Sequence, residues 1–336
     1  MTAATTATRP LTRRPSPLTP HGTVWTSLRL HRAALLIWAA LVTVTAAGLL
    51  WAYGPGADAA RKEPYLLQLS CGTDNLCADT TGNATLWYDA VAQLATSSIV
   101  YLPYLVAAWA GATLVARELE SGTAALAWTQ SVTPARWLAT QLAVPAALVT
   151  AGTTVLVLLH RLMWIDGHQD VLYQDWYATD AYRSNGTVAV GAALCALAVG
   201  ALAGMLVRRT LPALGVAVLV TVAVQTLGDL YRDSLWPVVT VTGAAASRIP
   251  DSAALVKEGV TLTSGERIGN NLACVDYDTG ADLMKCMSEN GISDLWATYH
   301  PSSHFWPLQL TETALLLTVT ALAVFLSFRV LKRRTA

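Results

Sequence analysis

Charged residues are scarce in this chain: Asp, Glu, Lys and Arg make up 13% of its 336 residues, whereas 54% are hydrophobic. Soluble proteins average about 25% charged residues, so a soluble globule of this length could not cover its surface. Net charge is zero and no basic stripe marks a folded domain, which excludes a nucleic-acid partner. The composition therefore predicts an integral membrane protein.

The chain also lacks the motifs of common enzymes. It has neither a Gly-x4-Gly-Lys-Ser/Thr loop for nucleotide phosphates nor a His-Glu-x2-His zinc motif. His300 and His304 have a spacing that could share a metal on a helix, but Pro301 between them disfavours that helix. Ser121 and Ser293 have no plausible His/Asp partner in the sequence. We therefore predict no catalytic residue, metal site or cofactor in this chain.

Long apolar segments indicate the fold class. A helix that crosses about 30 Å of hydrocarbon needs about 20 apolar residues. Six segments reach this length: residues 34–53, 90–116, 137–159, 187–207, 210–228 and 307–330. We predict an all-α fold with a six-span domain over residues 34–331. A shorter apolar patch at 235–246, which contains Pro237 and Gly243, is predicted to be re-entrant or interfacial.

The two sides of this domain differ in charge. The side that holds both tails, 1–33 and 332–336, carries 13 Lys/Arg and two acids, whereas the other carries 9 Lys/Arg and 20 acids. Because positive loops stay in the cytoplasm, we predict a multi-pass protein of the plasma membrane with both termini inside. The outer loops are then 54–89, 160–186 and 231–306. Residues 23–32 are either a helix on the inner lipid leaflet or a simple positive flank.

Four of the five cysteines fall in these outer loops. Cys71 and Cys77 lie in the first, and Cys274 and Cys286 lie in the last. An even number in two local pairs on the oxidising side predicts two disulfides. Other pairings and zinc binding are the alternatives, although the spacings match no common zinc motif. Cys195, within a span, is predicted to be a free thiol.

A few polar and aromatic residues within the spans are candidates for a transport pathway. A charge at the bilayer centre costs about 2.5–3.5 kcal/mol on insertion scales, and the spans nearly avoid charge. Glu312, near the start of the last span, either lines an outer gate or complements the helix dipole. Tyr101, Tyr104 and Trp109 of the second span either wall a path for an amphiphile or face lipid.

The cytoplasmic loop of residues 117–137 is longer than a connector requires. Charges at the membrane surface are followed by Gly122 and by a helix-like stretch, which Thr133 and Pro134 end. Such a short helix under the membrane favours docking to a cytosolic partner, and a plain connector is the alternative.

This loop resembles the permease subunit of type-2 ABC transporters, particularly actinobacterial ones. The motif is Glu-x-Glu-x-Gly-Thr after the second span, and Gln130 and Gln141 stand where the family often has proline and lysine. The matching residues are Glu118, Glu120, Gly122, Thr123, Leu126, Thr129, Arg136 and Trp137.

The resemblance implies a transport subunit: two permease chains, as a homodimer, would pair with two cytosolic ATP-binding subunits that bind ATP and Mg. The cargo would be a hydrophobic or amphiphilic lipid, antibiotic or peptide, exported from the cell. We expect Arg117 or the partner to hold Glu118 and Glu120, and Trp128 to anchor in the partner. The full predicted coupling set is Arg117, Glu118, Glu120, Gly122, Thr123, Leu126, Trp128, Arg136 and Trp137. The alternative is a sensor or immunity protein that binds an extracellular compound without moving it.

The predicted topology is testable with single cysteines in a chain whose native cysteines have been replaced. Cysteines at Ser121 and Thr335 should resist impermeant thiol reagents in intact cells, because both positions lie inside, whereas one at Ser252 should react. Permeabilised cells provide the control, in which all three react. Labelling of position 121 from outside would overturn the arrangement.

Overall fold

The computed structural model describes residues 29, 31–63, 82–129, 132–172, 174–269, 274 and 280–335. Within them, six helices are long and apolar enough to cross a membrane, one at each predicted segment. They are α1 (Arg32–Lys62), α2 (Asn83–Glu120), α4 (Pro134–Gly167), α6 (Thr187–Val207), α7 (Thr210–Tyr231) and α9 (Phe305–Thr335). Three shorter helices are α3 (Thr123–Thr129), α5 (Thr179–Ser184) and α8 (Gly280–Glu289). The prediction of six membrane-type helices is confirmed.

Two of the long helices change their winding along their length. In α1, a π-helical turn at Ala52–Gly56 contains Pro55, and in α2 a π-helical segment covers Ala110–Ala116. π-helical turns are rare in proteins and occur mostly as bulges within α-helices, which continue on both sides of them. Both helices therefore continue well beyond the apolar segments predicted for them.

The helix α6 forms the centre of the bundle. Of the residues in its most apolar stretch, 72% are buried. It packs against α2, α4, α7 and α9. Small residues permit this approach: a Cβ on Gly200 would lie 2.8 Å from the carbonyl oxygen of Ala107, and one on Gly204 would lie 3.0 Å from the backbone nitrogen of Ala116. Close backbone contact of this kind is how helices associate where no hydrophobic effect drives them together.

His31 before α1 and Arg334 at the end of α9 lie at the same end of the bundle, which we call the terminal end. There Glu118 of α2 lies near His31, and the Arg334 guanidinium donates to the Met205 carbonyl at 2.6 Å. The opposite, loop end is tied by Arg61, which donates to Asp166 and Asp170 at 2.8 Å each.

The start of α2 at the loop end is capped by Glu63, the residue that follows α1. The carboxylate of Glu63 accepts hydrogen bonds from the backbone nitrogens of Ala84 and Thr85 at 2.7 and 3.0 Å. These two N–H groups have no partner within the helix. Their bonds to the ionised carboxylate lower the pKa of Glu63.

The last loop contains a four-stranded antiparallel sheet, which the prediction of an all-α fold did not include. The strand order is β1 (Val239–Thr242), β4 (Ile292–His300), β2 (Ala254–Leu262) and β3 (Arg267–Gly269). The apolar patch at 235–246 is therefore not re-entrant: its alternating Val-Thr-Val-Thr pairs with β4 from Val239 opposite Tyr299. Pairing with β4 provides hydrogen-bond partners for the backbone of this segment, which is too short to span a membrane.

Among the described residues, two cysteines form a predicted disulfide and one is a free thiol. Cys274 and Cys286 form a disulfide with a Cα–Cα distance of 5.9 Å, and Cys195 is a buried thiol. The disulfide lies against Val260 of β2 and Ile292 of β4 in a small core, so it joins α8 to the sheet. Cys71 and Cys77 lie outside the described residues, and their pairing stays a prediction.

We predict that removing this link loosens the sheet. Cys274→Ser together with Cys286→Ser should lower the free energy of unfolding of the loop by about 2–4 kcal/mol, because the cross-link restricts the unfolded segment. Faster amide hydrogen exchange in β2 and β4 would report it, with Cys195→Ser as the control. Non-reducing peptide maps should also join Cys274 to Cys286. Free thiols at both positions would contradict the pairing.

Candidate functional site

The predicted coupling loop forms a short helix between two long ones at the terminal end. α2 ends at Glu120, and Gly122 follows with φ of +74°, a left-handed conformation that glycine adopts without strain. α3 then runs to Thr129. At the start of α4, Pro134 takes the first position and the Thr133 hydroxyl accepts from the Arg136 backbone nitrogen at 3.4 Å. The Gly-Thr and Thr-Pro pairs therefore set both ends of the loop.

The carboxylate of Glu118 is buried at the base of this loop. Its Oε2 accepts from the indole Nε1 of Trp137 at 2.9 Å, and its Oε1 accepts from Nε2 of Gln141 at 2.7 Å. His31 Nε2 lies 3.8 Å from the same Oε1. Because a buried carboxylate is costly without hydrogen-bond donors, these contacts fix the geometry. One side chain of α2 thus joins α4 and the residue before α1.

The carboxylate of Glu120 caps a different helix. Its Oε2 accepts from the backbone nitrogen of Thr210 at 2.8 Å and from its hydroxyl at 2.5 Å. This is the first residue of α7, where free N–H groups and the helix dipole favour a negative charge. Both carboxylates therefore have partners within the chain, and neither is held by Arg117, which corrects that expectation.

The two tryptophans of the loop pack on each other. The rings of Trp128 and Trp137 meet edge to face with centroids 5.7 Å apart, and both belong to the core beside Leu138. Trp128 is therefore an internal contact and not a protruding anchor, contrary to our expectation. The outward-facing apolar side chain of α3 is Leu126, which is 63% exposed, and Arg117 and Arg136 are also exposed.

Three polar residues of this site were not predicted from the sequence as its members. His31 and Gln141 contact Glu118, and Thr210 contacts Glu120. A signal was present for Gln141: a buried amide four residues after Trp137 would place both on one face of α4. For His31 and Thr210 no pattern in the sequence points to a partner about 90 residues away.

The candidate pathway residues do not form one site: Tyr101 and Tyr104 are neighbours, whereas Glu312 lies at the loop end. Tyr101 is 61% exposed on the outside of the bundle, and its ring lies 6.1 Å from that of Tyr104. Glu312 is buried at the loop end, with its Oε2 3.9 Å from Nε of Arg232. Arg232 and Arg183 also bind Asp229. Glu312 thus belongs to a network that joins α5, α7 and α9, and it does not line either cavity described below.

Trp109 does line a cavity. This apolar space of about 310 Å³ lies between α1, α2 and α4 near the terminal end. Trp38, Trp109 and Pro145 form much of its wall, and His31 lies at its margin beside the buried Glu118. Its size is at the lower limit for a small-molecule site, and its lining suits an alkyl or aromatic group.

The remaining sequence candidates lie elsewhere. His300 ends β4 and His304 lies in a separate helical turn, so no helix carries both, as Pro301 predicted. Their Nδ1 atoms lie 3.0 Å apart, and Nε2 of His300 lies 3.1 Å from the Asp233 carbonyl oxygen. Over the described part of the chain, no three His, Cys, Asp or Glu side chains cluster as a metal site.

Comparison with known proteins agrees with the arrangement of helices and loop. A protein-family model described as "ABC-2 membrane transporter related" matches residues 32–232, which run from the start of α1 to just past α7 and include the coupling loop. No curated protein and no solved structure matches the chain. The family match covers more than half of the sequence, and the chain therefore belongs to the ABC-2 membrane transporter related family, as a multi-pass membrane protein.

Proposed function

We propose that this chain is the permease subunit of an ATP-driven exporter, with ATP hydrolysed on a separate cytosolic subunit. The observation that carries the proposal is the buried contact of Glu118 with Trp137 and Gln141. It ties α2 directly to α4 on either side of the loop that carries α3. A partner that pushes on α3 would therefore move α2 and α4 together. The working unit would hold two permease chains and two ATP-binding subunits, with ATP and Mg on the latter.

The exposed side chains of the loop have the chemistry of a docking surface. Leu126 is 63% exposed on α3, and Arg117 and Arg136 lie exposed at the two ends of the loop. An apolar residue that enters a pocket, with charged residues at the rim, is the usual arrangement of a protein interface. We infer that Leu126 is the anchor and that the arginines face acidic groups of the ATP-binding subunit on the cytoplasmic side.

The cavity between α1, α2 and α4 supports a hydrophobic or amphiphilic cargo. Leu105 and Ile37 of its wall are 57% and 71% exposed, so the cavity opens toward the surrounding lipid. A molecule with an alkyl or aromatic part could enter from the bilayer without crossing water. Its polar part would then lie near His31 at the terminal end.

A second candidate function is extracellular sensing without transport. The observation in its favour is a polar cavity of about 850 Å³ at the loop end, beside the sheet. The two functions differ in one measurement: an exporter moves cargo across vesicles only when ATP and the ATP-binding subunit are present, whereas a sensor binds its ligand with no flux.

We predict that Leu126→Ala weakens docking of the ATP-binding subunit. Loss of an apolar anchor typically costs about 1–2 kcal/mol, or roughly 5–30-fold in Kd. The measurement is the Kd of the purified pair. Leu162→Ala removes a leucine of comparable exposure, 50%, from the opposite end of the bundle, and it should leave the Kd unchanged. Equal Kd values for the two variants would contradict docking at α3.

Two further variants distinguish docking of the ATP-binding subunit from transmission of its movement to the membrane helices. Glu118→Ala leaves Leu126 in place, so the ATP-binding subunit should still bind, but ATP-dependent flux should fall because α2 and α4 are no longer tied to each other beside the loop. Glu120→Gln, which retains an acceptor for Thr210, should transport normally. If Glu118→Ala binds and transports like the native chain, the loop is only a connector.

We further predict that filling the apolar cavity blocks transport. Ala34 lines the cavity, and Ala34→Trp would occupy its space. Flux of a hydrophobic cargo should fall at least about tenfold, because overpacking or loss of volume excludes the molecule. Ala39→Trp adds the same side chain at an exposed position of α1 that does not line the cavity, and it should have little effect. Equal flux in both variants would place the cargo path elsewhere.

A further inference from the structure

The cavity of about 850 Å³ at the loop end lies where four parts of the chain meet. The end of α4 forms one side and the start of α9 forms another. The turn before β2 and five residues between α4 and α6 complete the wall: His168, Gln169, Asp175, Trp176 and Asn185. The side chains that matter for its chemistry are Arg161, Trp164, Asp175, Asp251, Phe305 and Trp306.

The cation of this cavity is Arg161. Its guanidinium lies over the rings of Phe305 and Trp306, 5.2 and 4.8 Å from their centroids. Its NH1 donates to the carbonyl oxygen of Asn185 at 3.1 Å. Among the described residues, no carboxylate lies within 4.0 Å of it. The half-buried guanidinium thus has further N–H donors for an acceptor in the cavity.

Three other arginines at the loop end each form an ion pair with a carboxylate, unlike Arg161. Arg61 binds Asp166 and Asp170, and Arg183 and Arg232 share Asp229. A half-buried arginine normally has such a carboxylate. Arg161 instead rests on aromatic faces, which stabilise the charge without neutralising it.

Two carboxylates line the same cavity from other segments. Asp175 precedes α5 and Asp251 lies in the turn before β2, and both are exposed. Neither forms an ion pair with a described residue. The cavity therefore presents one cation and two anions that do not neutralise one another.

Two of the three indole N–H groups of the wall, those of Trp164 and Trp176, are already used within the chain. Trp164 Nε1 donates to the Gln174 carbonyl oxygen at 3.2 Å, and Trp176 Nε1 donates to the Ser252 carbonyl oxygen at 2.7 Å. These bonds hold the wall together across α4, the segment between α4 and α6 and the loop sheet. A ligand therefore meets aromatic surface and finds charged partners in Arg161 and the two aspartates, beside the amide nitrogen of Asn185, which has no hydrogen-bond partner among the described residues.

We propose that this cavity binds a zwitterionic phosphoamine headgroup, with the phosphate on Arg161 and the ammonium on Asp175 and Asp251. Arginine bonds to phosphate oxygens strongly and with fixed geometry, and an ammonium is favoured by carboxylates and by aromatic faces. A simple anion would be repelled by the two aspartates, and a simple cation would be repelled by Arg161. The cavity lies at the ends of two membrane-type helices, where tryptophans commonly meet lipid headgroups. The site does not depend on the proposed transport function.

The test is titration calorimetry on the purified full-length chain in detergent. The probes are dihexanoyl phosphatidylethanolamine, dihexanoyl phosphatidylglycerol, which has the phosphate without the amine, and soluble phosphoethanolamine. We expect phosphatidylethanolamine to bind at least about tenfold more tightly than phosphatidylglycerol, which corresponds to about 1.4 kcal/mol. Binding of phosphoethanolamine as tight as that of the lipid identifies the free headgroup as a sufficient ligand, and weaker binding identifies the lipid; both outcomes support the headgroup site.

Variants assign the binding to this cavity. Arg161→Gln and Asp251→Asn should each weaken phosphatidylethanolamine binding at least about tenfold, whereas Arg267→Gln, on the exposed strand β3, should not. If Arg161→Gln fails to fold, Asp251→Asn decides alone, because Asp251 is exposed and lies outside any helix or strand. Equal binding of the two lipids, or binding that Asp251→Asn leaves unchanged, overturns the proposal.

Discussion

The buried carboxylate of Glu118 is the interaction on which the terminal end of the molecule depends. It lies within hydrogen-bond reach of two donors on α4 and within 3.8 Å of His31, which precedes α1. Removing one donor from a buried carboxylate leaves one of its oxygens without a hydrogen bond and costs about 1–3 kcal/mol or more. The contacts of Glu118 with α4 and with His31 are therefore expected to persist together. Movement of α3 is then transmitted to membrane helices instead of being absorbed by the loop.

The middle and the loop end are held by other means. In the middle, Gly200 and Gly204 bring α6 against the backbone of α2, so the contact depends on shape and not on charge. At the loop end, Asp229 binds both Arg183 and Arg232, and Glu312 lies beside Arg232. Polar networks therefore hold the two ends of the bundle, and close backbone packing holds its middle.

The sequence predicted what depends on local pattern. The six spans follow from apolar length, and the coupling loop follows from its Gly-Thr and Thr-Pro boundaries. It did not predict the partners of Glu118, because Gln141 is 23 residues away and its burial depends on how α2 and α4 pack. The strand β1 was not predicted, because an apolar patch too short to span, with Pro237 and Gly243, suggested only a re-entrant or interfacial segment. Only pairing with β4, some 60 residues later, reveals the Val-Thr alternation as a strand.

Residues whose polar groups are bonded within the chain hold the fold, whereas exposed or unneutralised residues are available to bind partners. Glu118, Glu120 and Asp229 are all bonded within the chain, so they hold the fold. Leu126 at one end is exposed, and Arg161 at the other has no carboxylate among the described residues. An exposed apolar residue suits a protein surface, whereas a guanidinium over aromatic rings in a cavity suits a small polar ligand. The two ends of the bundle therefore differ in the chemistry that they offer, and the helices between them are the physical connection through which one end can influence the other.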